Sequence, residues 1–326
     1  VYDKTIPPGI LLVRRARALL IGATVLWGLS FPLTRGLELV QRAVAPGVSD
    51  SATACCDMAV RFGLAALCFL PFQLRNLGGI TLREWSQALG LALFAGIGLY
   101  LQTLGLERTD ASVSAFLTQL YTLLVPLIVA VRDRRFPSAR VIIACFLVLV
   151  GASLLSPGLL TQLALGPGEV VILFSTFFIA CQIVWVERPV YSENRTGLVT
   201  LLMFALLALQ FVVAYFFMGG RMADAQLLFG TPVLWQLTSA LVLLCTVFNF
   251  FIMNTWQRCV SATEAGLIYC IEPVIAAVLC SFLPGWISRF AAVDYPNEVL
   301  PWTLFVGGVL IVFATILVAT EPRGPK

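Results

Sequence analysis

Glu272 is followed by Pro273 near the middle of an apolar run, Thr263–Leu283, and no other pair of residues in the chain carries as sharp a chemical signal. An ionisable group at that depth of a bilayer costs about 2.5–3.5 kcal/mol on insertion scales. The proline removes a backbone donor and tends to open the helix ladder. Carbonyls then become available beside a carboxyl group, which is how cavity-lining helices are often built. Tyr269 stands one turn earlier on the same helical face. Two roles fit these residues: a site that takes up a substrate or a proton, or a hydrogen-bonded glutamic acid that only joins two helices.

A wider set of side chains could complete a binding pocket. Trp27, Tyr100, Gln102, Gln119, Tyr121, Gln182, Trp185, Asn249, Asn254 and Tyr269 all lie within or at the ends of apolar runs. An amide left unpaired in hydrocarbon costs several kcal/mol, so these groups must face protein or a water-filled cavity. Taken singly, each serves equally well as glue between helices. Their concentration on the third, fourth, sixth, eighth and ninth runs points to one shared cavity. With them Glu272 is a candidate substrate-binding residue, and it is also the candidate proton-coupling group.

Other chemistries are poorly supplied. There is no histidine and no CxxC pair, which excludes imidazole metal sites and Ser-His or Cys-His catalysis. No catalytic residue, metal or cofactor is therefore expected. A phosphate-cradling GxxxxGK[ST] loop is absent, so direct drive by ATP is not expected of this chain. Most of the nine cysteines sit in apolar runs, where cysteine behaves as a small hydrophobe. Cys55 and Cys56 are expected outside, where a disulfide would be feasible but has no candidate partner. Arg61 falls about one turn inside the second run, with Asp57 four residues earlier. It reads as a snorkelling side chain with a local acidic partner, or else as part of a gating salt bridge.

The elements that must position these residues follow from composition. Of 326 residues 60% are hydrophobic and 12% charged, with a mean hydropathy of +0.94. A soluble domain carries about 25% charged residues, so this chain lacks the polar surface a water-facing exterior needs. Ten runs are long enough for a bilayer core of about 30 Å: Ala18–Leu39, Asp57–Leu74, Trp85–Leu106, Ala111–Val131, Ala139–Leu155, Gly168–Val186, Leu198–Met218, Pro232–Trp256, Thr263–Leu283 and Pro301–Thr320. The two long connections, around Gln41–Cys56 and Pro284–Leu300, are expected outside. The second, with Trp286, Phe290 and Tyr295, suits a segment lying on the membrane surface.

The halves resemble each other. Leu101-Gln102-Thr103-Leu104-Gly105-Leu106-Glu107-Arg108 precedes one short turn, and Ile252-Met253-Asn254-Thr255-Trp256-Gln257-Arg258 precedes another. Each leads into a run interrupted by proline, matching Val125-Pro126 with Glu272-Pro273. Five spans per half is an odd number, so similar halves must be inverted in the membrane. With a cytoplasmic N-terminus, fifteen of the 21 Lys and Arg flank the inner side and five the outer, with Arg61 inside a span. That asymmetry puts both termini in the cytoplasm. Basic residues scattered over many short loops also argue against a nucleic-acid partner. Arg14, Arg15 and Arg17, an apolar run and Ala43-Val44-Ala45 imitate a secretory signal, but Arg35, Glu38, Gln41 and Arg42 intervene before the cleavage site.

Motifs in order along the chain resemble the drug/metabolite transporter superfamily, specifically proteins with paired EamA-type domains of five helices. They include Leu26-Trp27-Gly28-Leu29-Ser30-Phe31, Arg61-Phe62, Phe116 to Tyr121, Val125-Pro126-Leu127, Gly168-Glu169, Trp256-Gln257-Arg258, Ser261-Ala262-Thr263, Glu272-Pro273-Val274 and Gly307-Gly308. The chain departs from the pattern after the ninth run, where Pro284-Gly285-Trp286 and an insertion replace the usual acidic residue. The resemblance implies a fold and a transport role without naming a substrate.

The reading is thus an all-α integral membrane protein of ten transmembrane helices in two inverted five-helix repeats, at residues 18–155 and 168–320. A cytoplasmic segment 1–17, a linker 156–167 and a cytoplasmic tail 321–326 complete it. It is expected in the cell inner membrane as a monomer or homodimer. Its expected activity is secondary-active movement, by export or exchange, of a small polar or amphipathic metabolite such as an amino acid, by alternating access. Expected partners are that metabolite, the lipid bilayer and protons. The competing readings are a membrane-embedded enzyme acting on a lipid-linked substrate, for which no carboxylate pairing accompanies the basic cluster Arg132–Arg135, and a channel or a non-transporting receptor or scaffold.

Overall fold

The computed structural model describes residues 8–109, 111–155, 166–299 and 302–319. The expected N-terminal segment is covered only from residue 8 and the expected linker only from residue 166; the tail 321–326 lies outside the described residues. Hydrocarbon offers the backbone no hydrogen-bond partner, so so apolar a chain satisfies its amides within helices. All regular structure among the described residues is helical.

Helix α1 (Pro8–Val44) outruns its predicted span at both ends, and α2 (Asp50–Gln73) begins seven residues before the predicted Asp57. Ser49 explains the early start: its side chain accepts a hydrogen bond from the Ala52 amide, a standard N-terminal cap. The small residues that read as a loop are the first turns of the helix. The connection expected to be long is therefore only 45–49, and Cys55 and Cys56 are buried free thiols inside α2, with no disulfide. Arg61 consequently lies deep in its helix rather than one turn from the end.

Next come α3 (Leu82–Leu106), opened by a Thr81–Glu84 capping box, then α4 (Ala111–Thr118), α5 (Tyr121–Asp133) and α6 (Ala139–Leu155). The second half begins with α7 (Pro167–Val186) and α8 (Thr196–Phe217), followed by the short α9 (Met222–Leu228). A long rod then combines α10 (Pro232–Ala240), a π-helical segment (Leu241–Val247) and α11 (Phe248–Trp256). The last elements are α12 (Ala262–Tyr269), α13 (Glu272–Cys280), α14 (Leu283–Ala291) and α15 (Thr303–Ala319).

Among the described residues, seven helical stretches are long and apolar enough to cross a bilayer. The other three predicted runs differ. One is split into α4 and α5. The other two, α6 and α15, have 17 residues each, about 25 Å at the α-helical rise.

The ninth run is split as well, between α12 and α13, so the runs bearing Pro126 and Pro273 each consist of an eight-residue helix, a break and a second helix. The prolines do not occupy matching places. Pro273 is second in α13, where a missing amide costs nothing, whereas Pro126 is sixth in α5. Aligned on the breaks, Glu272 matches Tyr121 and not Val125.

Helix α1 runs through the middle of the bundle against α11, α12 and α13, while α3 packs on α7, α2 on α8, and α6 on α15. Backbones approach closely where glycines face each other. A Cβ on Gly151 would meet the Gly307 carbonyl, and one on Gly105 would meet that of Gly168. Phe62 anchors an aromatic core, its ring centroid 5.9–6.2 Å from those of Phe204, Phe211 and Phe250. The amphipathic α14 buries Pro284 and Ile287 and turns Trp286 and Phe290 outward. Tyr295, expected on the membrane surface with them, is instead buried.

Candidate functional site

A cavity lies between α1, α3, α7 and the two broken helices. From α1 come Trp27, Ser30, Phe31 and Thr34, spaced three or four apart on one helical face. Helix α3 adds Gln102 and Thr103, and α7 adds Gln182. The breaks contribute most of the polarity. Thr118 and Tyr121 flank the first, Tyr269 and Glu272 the second, and all four face the cavity. Broken helices put backbone and side-chain polar groups at membrane depth only where they line such a space.

Six of the eleven sequence-predicted residues meet here: Trp27, Gln102, Tyr121, Gln182, Tyr269 and Glu272. Trp27 stands edge-on to Tyr269 at 5.1 Å between centroids and to Phe250 at 6.1 Å. Gln102 Nε2 donates to Thr118 Oγ1 at 2.9 Å, whereas Gln182 Nε2 has no partner. Gln119 is buried beside Glu272 without lining the cavity. Its amide interacts with that carboxyl group but does not reach full hydrogen-bond geometry.

The remaining four lie elsewhere. Tyr100 packs at the edge of the main core. Trp185 donates to the Gln87 carbonyl and is capped by the Arg188 guanidinium 4.4 Å from the ring centre. Asn254 Nδ2 donates to Thr200 Oγ1 at 3.0 Å, joining α11 to α8. Asn249 is fully buried, and both amide atoms lack a partner.

Sequence reasoning missed Arg61. The side chain is only 7% exposed and lines the cavity, so it neither snorkels nor pairs with Asp57 in a salt bridge. Its Nε donates to Thr246 Oγ1 at 2.6 Å, and Thr246 in turn donates to the Leu241 carbonyl five residues back. That spacing belongs to the π-helical turn, a geometry frequent at functional sites. The turn thus sets the hydroxyl that holds Arg61. The available signal was Ser49, whose capping role moves Arg61 to mid-helix.

Hydrogen bonds close the cavity on the Tyr269 side. Tyr269 Oη donates to Gln257 Oε1 at 2.9 Å, and Gln257 Nε2 to the Ile183 carbonyl at 2.7 Å. Below them Arg258 binds the Tyr191, Ser192 and Asn194 carbonyls, and Arg17 pairs with Glu264. On the opposite side Arg42 and Arg108 tie Asp50, and Arg42 also ties Glu107.

A bundle of apolar helices of this kind, around a buried cavity lined by Arg61 and Glu272, marks a multi-pass integral membrane protein. Comparison with known proteins narrows this. Residues 14–156 match the model of the EamA-like transporter family. It is 24% identical over 302 residues, 90% of this chain and 82% of the other, to a protein from Archaeoglobus fulgidus described as an uncharacterized transporter. A solved crystal structure superimposes with a TM-score of 0.62 at 16% identity, over 94% of this chain and 96% of that one; this likeness concerns the fold.

Proposed function

We propose that the chain is a secondary carrier for a small zwitterionic or amphipathic metabolite of the amino-acid kind, exporting or exchanging it by alternating access. One observation carries the reading: Arg61 and Glu272, a basic and an acidic side chain, line one buried cavity whose other walls are aromatic rings, aliphatic side chains, hydroxyls and two amides. Arg61 suits a substrate carboxylate, Glu272 an ammonium group, and Trp27 with Tyr121 and Tyr269 the apolar remainder. Glu272 is also the group proposed to couple transport to protons.

We further propose ten spans in two inverted repeats, residues 18–155 and 168–320, in the inner membrane with both termini cytoplasmic. The matched breaks support this, as does the packing. Under a two-fold relation the pairs α2–α8 and α6–α15 map onto themselves, and α3–α7 maps onto the contact of α1 with the π segment and α11.

The test is counterflow in proteoliposomes. A carrier accelerates uptake of labelled amino acid when unlabelled amino acid fills the lumen. Equal rates with and without internal substrate, across a panel of zwitterions, would overturn the proposal, and appearance of a new compound would point to an enzyme instead.

A further inference from the structure

A second, polar pocket lies where the end of α1 meets the start of α2 and the end of α3, lined by Glu38, Arg42, Asp50, Thr53 and Glu107. Glu38 is 1% exposed, and neither carboxylate oxygen accepts a hydrogen bond. Its ion pair with Arg35 Nη1 is long, 3.6 Å, and that same nitrogen donates to the Glu107 carbonyl at 2.9 Å. Arg42 is divided between Glu107, at 3.3 Å, and Asp50, at 3.5 Å. Asp57, also near Glu38, takes the Gln41 amide on one oxygen and has no partner on the other. Arg61 beside it is bonded to Thr246, and Arg108 to Asp50. Tyr295, from the segment after α14, faces Glu38 with an unpartnered hydroxyl.

A buried carboxylate with unmatched oxygens is costly. A metal ion does not suit this place, because no three His, Cys, Asp or Glu among the described residues come close enough to hold one. A proton needs a single oxygen and supplies its own donor. We propose that Glu38, with Glu107 across the pocket, is a proton-binding site separate from Glu272. Glu107 lies just beyond the membrane-spanning part of α3; burial, then the neighbouring Asp50, pushes it up to about 7. The pocket therefore exchanges a proton across neutral pH.

The site adjoins the central cavity. Thr34, one turn before Glu38, and Leu106, immediately before Glu107, both line it. With the proton bound, α1 and α3 meet without like-charge repulsion; after its loss two carboxylates oppose each other and the walls part at that end. This consequence rests on the carrier reading, whereas proton binding itself does not.

Infrared difference spectroscopy of the full chain in lipid nanodiscs, titrated across neutral pH without substrate, tests the site. The wild type should gain a protonated carboxylic C=O band on acidification. Glu38→Gln should lose one component of that band while the Glu107 component remains, and Glu272→Gln should retain both. A wild type without the band, or a band unchanged in Glu38→Gln, would overturn the proposal. If Glu38→Gln does not fold, Glu107→Gln decides: removing the neighbouring negative charge must move the band's midpoint to lower pH, and an unmoved midpoint overturns the site. Absent counterflow beside an intact, Glu38-dependent band would defeat the carrier reading alone.

Discussion

Arg61 and Glu272 place a cation and a carboxyl group in one cavity, and their consequences should separate by substrate. Arg61→Gln removes a charge-assisted hydrogen bond worth about 1.5–3 kcal/mol, which is roughly a 10- to 150-fold loss of apparent affinity. In counterflow that loss should appear for amino acids and be much smaller for the matching amines without a carboxylate; an equal loss for both would show that Arg61 does not read the carboxylate. Glu272→Gln should abolish pH-driven uptake while counterflow persists with weaker apparent affinity for ammonium-bearing substrates, and an unchanged pH dependence would end the proton-coupling role. Glu272 was legible because a carboxyl group beside a proline in an apolar run has few other reasons to be there. Arg61 was not. Its depth depends on where α2 starts, and its anchor Thr246 comes from a helix 185 residues away.

At the scale of elements, the breaks after Thr118 and Tyr269 determine which groups reach the cavity. Helix packing elsewhere depends on small residues. Gly151→Leu would drive a side chain into the Gly307 backbone, and overpacking of this kind costs about 1–3 kcal/mol. The apparent melting temperature in detergent should fall, and should fall less in Gly22→Leu, where nothing lies within 4 Å of the added carbon. The end of α3 carries a pH signature. Glu107 is pushed from 4.5 to about 7 by burial and Asp50, so between those values the folded chain holds more protons than the unfolded one. Stability from this group is retained below about 4.5 and declines as pH rises towards 7. A thermal scan against pH should show that decline, and Glu107→Gln should flatten it.

For the whole molecule, the proposed inversion of the halves would put the turn at Arg108 outside and the turn after Arg258 inside. Reporter cysteines at Arg108 and Ser261, probed with a membrane-impermeant maleimide and corrected for the parent chain, should label from opposite sides. Labelling of both from one side would refute the topology. Both positions are well placed for the probe, Arg108 and Ser261 both being exposed.

Composition alone committed this chain to helices in a membrane, because a sequence with 12% charged residues can neither coat a soluble surface nor leave its backbone unpaired in lipid. The periodic placement of apolar runs located most helices, and a buried carboxyl group beside a proline marked Glu272. Tertiary structure decided which polar residues share a space. Tyr100, Trp185, Asn249 and Asn254 look like Gln102 and Gln182 in sequence, yet they point into other contacts, since the direction of a side chain on a helix has meaning only against its neighbours. It also moved Arg61 from the membrane edge to the cavity and drew Glu38, Glu107 and Asp57 together from three helices. Electrostatics depends on distances between segments far apart in the chain, and those distances exist only once the helices have packed.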